Sequence, residues 1–435
     1  MKENAKNQDT QGITNKESDI QILKDVFSNF IGTLSGSMFT YGIGYMLLDK
    51  TGLAMSFGVD MIITPIIGLL FLIPVGNLTD RFPHKKILIW SILFRLITLT
   101  IFMFTINHFY GLYKLVPVVI FLTINAISVN FSSTSYSASV HELVNDTRIQ
   151  KLGSLSLAAT SLSSILSPAI GATLYSTVGF DSFIYIEIIA TILTLLILQS
   201  MHFHYDKNSK VHQTNISLKP FEEGLAYISK RALLKYVIII AVVINFIFTA
   251  LSIGVPFIIK TQLKLQTSYV GFLQSSLALG MLLGSLLMMV LPDKKWFAQK
   301  ILIPLLLFGI EFIMLGSILL NEKNQVYLVI FGMIVMMALG LTLSVLNISF
   351  QVRLQTTTPT HILGRVMSIL STTNSSIMPL GILFYTMLFQ NGFVGGYIFI
   401  INGIVMLLYT MLLFSKLLSA IKTDDILNKQ KVKNN

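Results

Sequence analysis

Stretches of about twenty residues almost free of charge recur along the whole chain, and each is about the length a helix needs to cross a bilayer. Segments of this kind can fold only where lipid covers them, so their number and order constrain the chain more than any single motif does. Twelve are expected, in two sets of six. The first set is 26–48, 57–78, 87–106, 115–137, 152–176 and 182–200; the second is 234–259, 269–291, 301–320, 326–350, 363–389 and 394–418. The predicted fold class is therefore all-α and integral to the membrane, with six-helix bundles over 26–200 and 234–418. Polar stretches at 1–25, 201–233 and 419–435 read as an N-tail, a linker and a C-tail. Only 12% of the residues are charged, about half the share typical of a soluble domain, which excludes a soluble enzyme.

The basic excess sets a topology. With the N-terminus inside, 25 of the 31 Lys and Arg residues fall on the cytoplasmic side and five on the other, while Arg95 lies inside a span. That asymmetry places both termini in the cytoplasm and leaves no reason to invoke nucleic acid. No cysteine is present, so disulfides, thiolate nucleophiles and zinc ribbons are excluded. The polar first 24 residues carry no apolar signal-peptide core, and no cleavable leader is expected. No phosphate-binding loop or Ser/His hydrolytic constellation is found. The histidines suggest no metal cluster, and His202, His204 and His212 read as solvated linker residues. Cofactors and metals are not expected.

The halves look duplicated. Leu152-Gly153 with Pro168 is matched by Leu363-Gly364 with Pro379, with the same Gly-to-Pro spacing and an offset of 211 residues. Serine pairs precede both prolines, and the pairs Asp80/Asp293 and Gly58/Gly271 keep a nearly equal offset of 213.

This two-times-six plan resembles the major facilitator superfamily, whose halves rock about a midplane site. The segment 76–86 resembles that family's loop signature: Gly76, then Asp80-Arg81, then Lys85 and Lys86, with Pro83 and His84 standing where the family carries Gly and Arg. The resemblance implies a conformational latch. Gly76 would permit close helix approach, Asp80 would sit against the helix N-terminus near Gly364 and Arg365, and Arg81 and Lys85 would pair with Glu142. In the fifth span, Pro168 and Gly171 resemble the Gly-Pro signature of drug and proton antiporters. The stretches 30–37, 51–52, 355–359 and 363–368 resemble the exporter branch that contains macrolide-efflux and enterobactin-export proteins. That implies outward export of a partly apolar, drug-like or siderophore-like molecule from the plasma membrane, powered by the proton gradient.

Charges inside spans are costly and point to function. Glu311 and Glu187 are the candidate proton-coupling acids, with a scaffold role as the alternative for each. Arg95 reads as a side chain that snorkels to the interface. Asp25 marks only the start of the first span, and no acid falls at the middle of the first, fourth, seventh or tenth. The candidate substrate cavity is instead neutral: Asn29, Tyr41, Asn125, Asn130, Asn245, Phe248 and Asn347. The expected partners are a small-molecule substrate and membrane lipids, with the protein a monomer. A lipid flippase on the same fold and a transport-inactive receptor are the rival readings.

Overall fold

The computed structural model describes residues 13–204, 219–291, 296–320, 325–358 and 360–434. The described chain is helical: α1 Asn15–Thr51, α2 Val59–Leu70, α3 Leu72–Arg81, α4 His84–Thr105, α5 Leu115–Leu143, α6 Ile149–Val178, α7 Phe180–Ser200, α8 Lys219–Lys230, α9 Ala232–Phe257, α10 Thr267–Val290, α11 Phe297–Leu320, α12 Gln325–Thr357, α13 Thr360–Gln390 and α14 Gly395–Asn434. Among the described residues nine helices are long and apolar enough to span a membrane, with shorter apolar helices besides. This is the all-α fold that the twelve apolar stretches predict. Helix α1 falls short of that hydropathy because it carries a polar stripe: Asn29, Thr33, Ser37 and Thr40.

The second stretch, expected as one span, is two helices that break at Phe71. The cause is Pro74, which offers no N–H to the carbonyl four residues back, that of Leu70, and whose ring crowds it. The polar segments are also more ordered than expected. Helix α1 begins within the expected tail at Asn15, α8 forms inside the linker, and α14 runs through 419 without a break.

The chain divides into two compact units, Met1–Thr51 with Ile63–Thr214, and Gly52–Ile62 with Asn215–Asn435. The start of the second expected span thus packs with the second unit. There the Ala54 amide donates to Gln390 Oε1 at 3.2 Å, and Gly58 lies against Ile382 so closely that no Cβ would fit.

In the first unit the polar ends are bound together. The ammonium groups of Lys24 and Lys85 donate to the last carbonyls of α7 and just beyond it: Lys24 to Ser200 at 2.7 Å, Lys85 to Gln199 at 2.9 Å and to Met201 at 2.6 Å. Those carbonyls have no helical partner and carry the negative end of the helix dipole, so they attract cations. Asn145 donates to the Ile13 carbonyl and Asn15 Oδ1, its amide donates to Ser18 Oγ, and Asp19 pairs with Arg148 and Lys151. Beneath this polar layer lie Ile22, Leu88, Leu143, Leu152 and Leu198.

The second unit is joined by glycine. On α11 and α14, Gly309 and Gly316 face Gly403 and Gly396. A Cβ on Gly403 would lie 2.5 Å from the Gly309 carbonyl oxygen, and one on Gly316 the same distance from that of Gly396. Helices α10 and α12 meet in the same way at Gly280, Gly284 and Gly340. At the basic end, buried Asp424 receives both Arg231 and Arg353, and Arg353 also stacks over Phe297 at 4.8 Å.

Two stability outcomes follow. Gly403→Ala forces backbones apart and costs about 1–3 kcal/mol, whereas Gly171→Ala, whose Cβ would meet its nearest neighbours at 3.6 Å, leaves the melting temperature in detergent near wild type. Asp424→Ala leaves two guanidinium groups without their carboxylate and lowers that melting temperature further, by the equivalent of roughly 3–5 kcal/mol.

Candidate functional site

Within the first unit a cavity of about 570 Å³ opens between α1, α4, α5 and α7. Its α1 wall is the stripe Asp25, Asn29, Gly32, Thr33, Gly36, Ser37 and Thr40, spaced so that each turn adds a polar or small residue to one face. Opposite are Asn125, Ser128, Ser132 and Tyr136 of α5, and Leu88, Ile92 and Val129 add apolar surface. The lining is thus amphipathic.

Asp25 is buried on this wall and accepts hydrogen bonds from Tyr136 Oη and Ser156 Oγ, both at 2.8 Å. Asn29 Nδ2 donates to the Ser156 carbonyl at 3.3 Å, and Thr33 donates to Asn29 Oδ1 at 3.0 Å. On the far wall Arg95 is ion-paired with Glu187 of α7, a carboxylate only 1% exposed. Gly36 gives the guanidinium room, since a Cβ there would lie 3.2 Å from Arg95 Nη2. Arg95 therefore does not snorkel. A carboxylate on another helix, Glu187 of α7, holds it in the bundle.

Two buried polar atoms on the wall, Asn125 Oδ1 and Ser128 Oγ, have no hydrogen-bond partner among the described residues. Buried polar groups are normally paired, and these two belong to residues that line the cavity.

Of the neutral residues expected to line a cavity, Asn29 and Asn125 do so here. Tyr41 stacks on Tyr45 instead, and Asn130 donates to the Ala126 carbonyl one turn back on its own helix. In the second unit Asn245 donates to the Ala241 carbonyl, Phe248 is half-buried and Asn347 is exposed; none of them lines either cavity described in that unit. Glu311 is buried on α11 and accepts from Thr342 of α12 at 2.8 Å, in a helix seam rather than a cavity.

The expected latch is only partly described. Gly76, Asp80, Gly364 and Arg365 lie in helices but outside the residues whose side chains are described. Arg81 is exposed. Glu142 pairs with His84 Nδ1 at 2.7 Å and not with Arg81 or Lys85. Lys85 goes instead to the end of α7, where the Gln199 and Met201 carbonyls, without helical partners, both accept from it. His204, expected to be solvated, pairs with Glu17 at 2.8 Å, while His212 lies outside the described residues. Pro168 is buried within α6, and Gly171 packs against Met38 and Tyr41 of α1.

Sequence reading missed Asp25 and Arg95 as cavity residues. The stripe that continues from Asp25 at helical spacing through Asn29, Thr33 and Thr40 is the signal that could have found the acid. The partner of Arg95 lies 92 residues away and leaves no local trace.

An all-helical, multi-pass chain with an amphipathic cavity inside one bundle has the plan of a membrane transporter, and the family match identifies it as one rather than as an enzyme. Residues 26–382 match the family model of the Major Facilitator Superfamily, and the chain belongs to that family. It is similar to macrolide efflux protein A of Streptococcus pyogenes, at 24% identity over 81% of this chain and 85% of that one. It is also similar to macrolide efflux protein A of Enterococcus faecalis, at 25% identity over 71% and 93%. Among solved structures it shares its fold with a bacterial homologue of the iron transporter ferroportin, at a TM-score of 0.71, 11% identity and 90% and 98% coverage. A bacterial homologue of the human lysosomal transporter Spinster matches at 0.67, with 12% identity and 94% and 99% coverage.

The Arg95–Glu187 pair yields a double-mutant outcome. Arg95→Gln or Glu187→Gln alone leaves one buried charge uncompensated and costs about 3–5 kcal/mol, whereas the double variant recovers most of that loss in thermal unfolding.

Proposed function

We propose that this protein exports an amphipathic, drug-like or siderophore-like small molecule across the plasma membrane by alternating access, in exchange for protons. The observation that carries the reading is the first-unit cavity, in which the unpartnered Asn125 Oδ1 and Ser128 Oγ sit among apolar side chains. Hydrogen-bonding points scattered over an apolar wall orient an amphipathic ligand without demanding one shape. The similarity to macrolide efflux proteins of two bacteria supports export as the direction.

Coupling falls to a carboxylate that can meet both water and ligand. Glu187 is already neutralised by Arg95, and Glu311 is tied into a helix seam by Thr342. Asp25 lines the cavity and is held only by two hydroxyl groups, so among these three acids it is the one placed to exchange a proton as the cavity fills and empties. The latch role of Gly76, Asp80, Arg81, Gly364 and Arg365 remains part of this proposal, with Glu142 held by His84 in place of Lys85. Both termini are cytoplasmic in this reading, and the protein works as a monomer.

The test is transport in proteoliposomes under an imposed proton gradient, with macrolides, cationic dyes and iron-free siderophores as substrates. Wild type is expected to move at least one of them in a gradient-dependent way. Asp25→Asn abolishes that dependence, Asn125→Ala weakens apparent affinity, and Glu311→Gln leaves coupling intact. Movement that ignores the gradient in wild type, or coupling lost in Glu311→Gln and kept in Asp25→Asn, overturns the assignment.

A further inference from the structure

Two separate cavities of the second unit lie along the same seam, between α9 and α14. The first, of about 380 Å³, is at the basic end of the helices and is lined by Ala232 and Tyr236 of α9 and by Ser415, Lys416, Ser419, Ala420 and Thr423 of α14. The second, of about 460 Å³, is almost wholly apolar; Val242, Val243, Phe246 and Ile247 of α9 face Ile398, Ile401 and Val405 of α14, and α13 closes its floor.

The helical register makes them one feature. Positions 232, 236, 243 and 247 recur at intervals of four and seven, as do 401, 405, 412, 416 and 423, and these spacings keep to one face of a helix. Between the cavities that face remains open: Ile239 is 47% and Leu412 75% exposed. From Lys416 to Val405 is eleven residues, about 16 Å along α14, close to half the hydrocarbon thickness of a bilayer. A polar, lysine-bearing pocket is thus followed, one leaflet deep, by an apolar one.

The charges decide what fits. Arg231, the neighbouring cation, is committed to Asp424, whereas exposed Lys416 has no ion pair among the described residues. Tyr236, Ser415, Ser419 and Thr423 bring hydroxyl groups to the same pocket, although Ser419 and Thr423 return theirs to carbonyls of their own helix. An exposed ammonium that lines the pocket beside hydroxyl groups, at the end of a greasy seam, suits a phosphate on two acyl chains. We infer that the α9–α14 seam is a binding site for an anionic phospholipid, with its phosphate at Lys416 and an acyl chain in the cavity at Val243, Ile401 and Val405. This inference does not depend on the direction of transport or on what is transported.

The full-length protein in mild detergent, examined by native mass spectrometry, tests it. The probes are phosphatidylglycerol, phosphatidylcholine with the same acyl chains, and sn-glycerol 3-phosphate as a headgroup without chains. Phosphatidylglycerol is expected to be retained roughly fivefold more than phosphatidylcholine, the factor that one lysine near a lipid surface supplies. Lys416→Gln removes that preference, while Lys86→Gln, an exposed lysine of the first unit, keeps it. Val405→Trp fills the apolar cavity from an exposed position that tolerates bulk, and it lowers retention of both lipids. Equal retention of the two lipids, equal effects of the two lysine variants, or competition by glycerol phosphate as strong as that of the whole lipid overturns the inference. Displacement of the lipid by a transported compound at equal concentration also overturns it, because the seam would then be a path for substrate.

Discussion

Lipid offers no partner to a polar group, so each one inside the membrane must be satisfied by the chain itself. This constraint explains the arrangement of the rare charges. Arg95 is answered by Glu187 from a neighbouring helix, and Asp25 by two hydroxyl groups from two others. The helix ends obey it as well: the terminal carbonyls of α7 draw in Lys24 and Lys85. The constraint is not met everywhere: among the described residues Asn125 Oδ1 and Ser128 Oγ, on residues that line the first-unit cavity, lack a hydrogen-bond partner, and so does one oxygen of each of Glu187 and Glu311.

The two units solve their packing differently. The second brings α11 to α14 and α10 to α12 through glycine, with backbones so close that a methyl group cannot enter, and gains dispersion contacts over the whole length of each pair. In the first, α1 meets α6 at an ordinary distance around Gly171, and α1 keeps a polar face for the cavity. The second unit's polar pairs, Glu311–Thr342, Ser285–Ser344 and Tyr385–Asn402, are closed between its own helices, and the first unit carries the amphipathic cavity.

Much of the fold was legible in the sequence because length and hydropathy act on whole spans. The stretches 87–106, 115–137 and 182–200 correspond to α4, α5 and α7, and the all-α membrane class follows from them. The break at Phe71 was legible in principle through Pro74, but a proline inside an otherwise unbroken apolar run reads as a kink as easily as a break. The site was harder. Asn29 and Asn125 were found by type, yet Asn130, Tyr41 and Asn245 share that chemistry and turn to their own helices or to one another. Which way an amide faces depends on helix rotation, and that is set by neighbours far away in the chain, 127 residues for Asn29 and Ser156. The pairing of Lys85 was misjudged for a related reason: helix ends compete for cations as strongly as carboxylates do, and sequence shows only the carboxylates.

The polar layer that binds the ends of the first unit has a consequence for biosynthesis. Its partners, from Ile13 and Asn15 through Lys24, Lys85 and Asn145 to Ser200, Met201 and His204, all lie in the first half of the chain or in the first four residues of the linker. Once residue 204 has left the ribosome, every group needed to close that layer is present. The first bundle can therefore tie itself off before the second half of the chain is translated, and the nascent carboxylates and ammonium groups need not wait exposed for later helices.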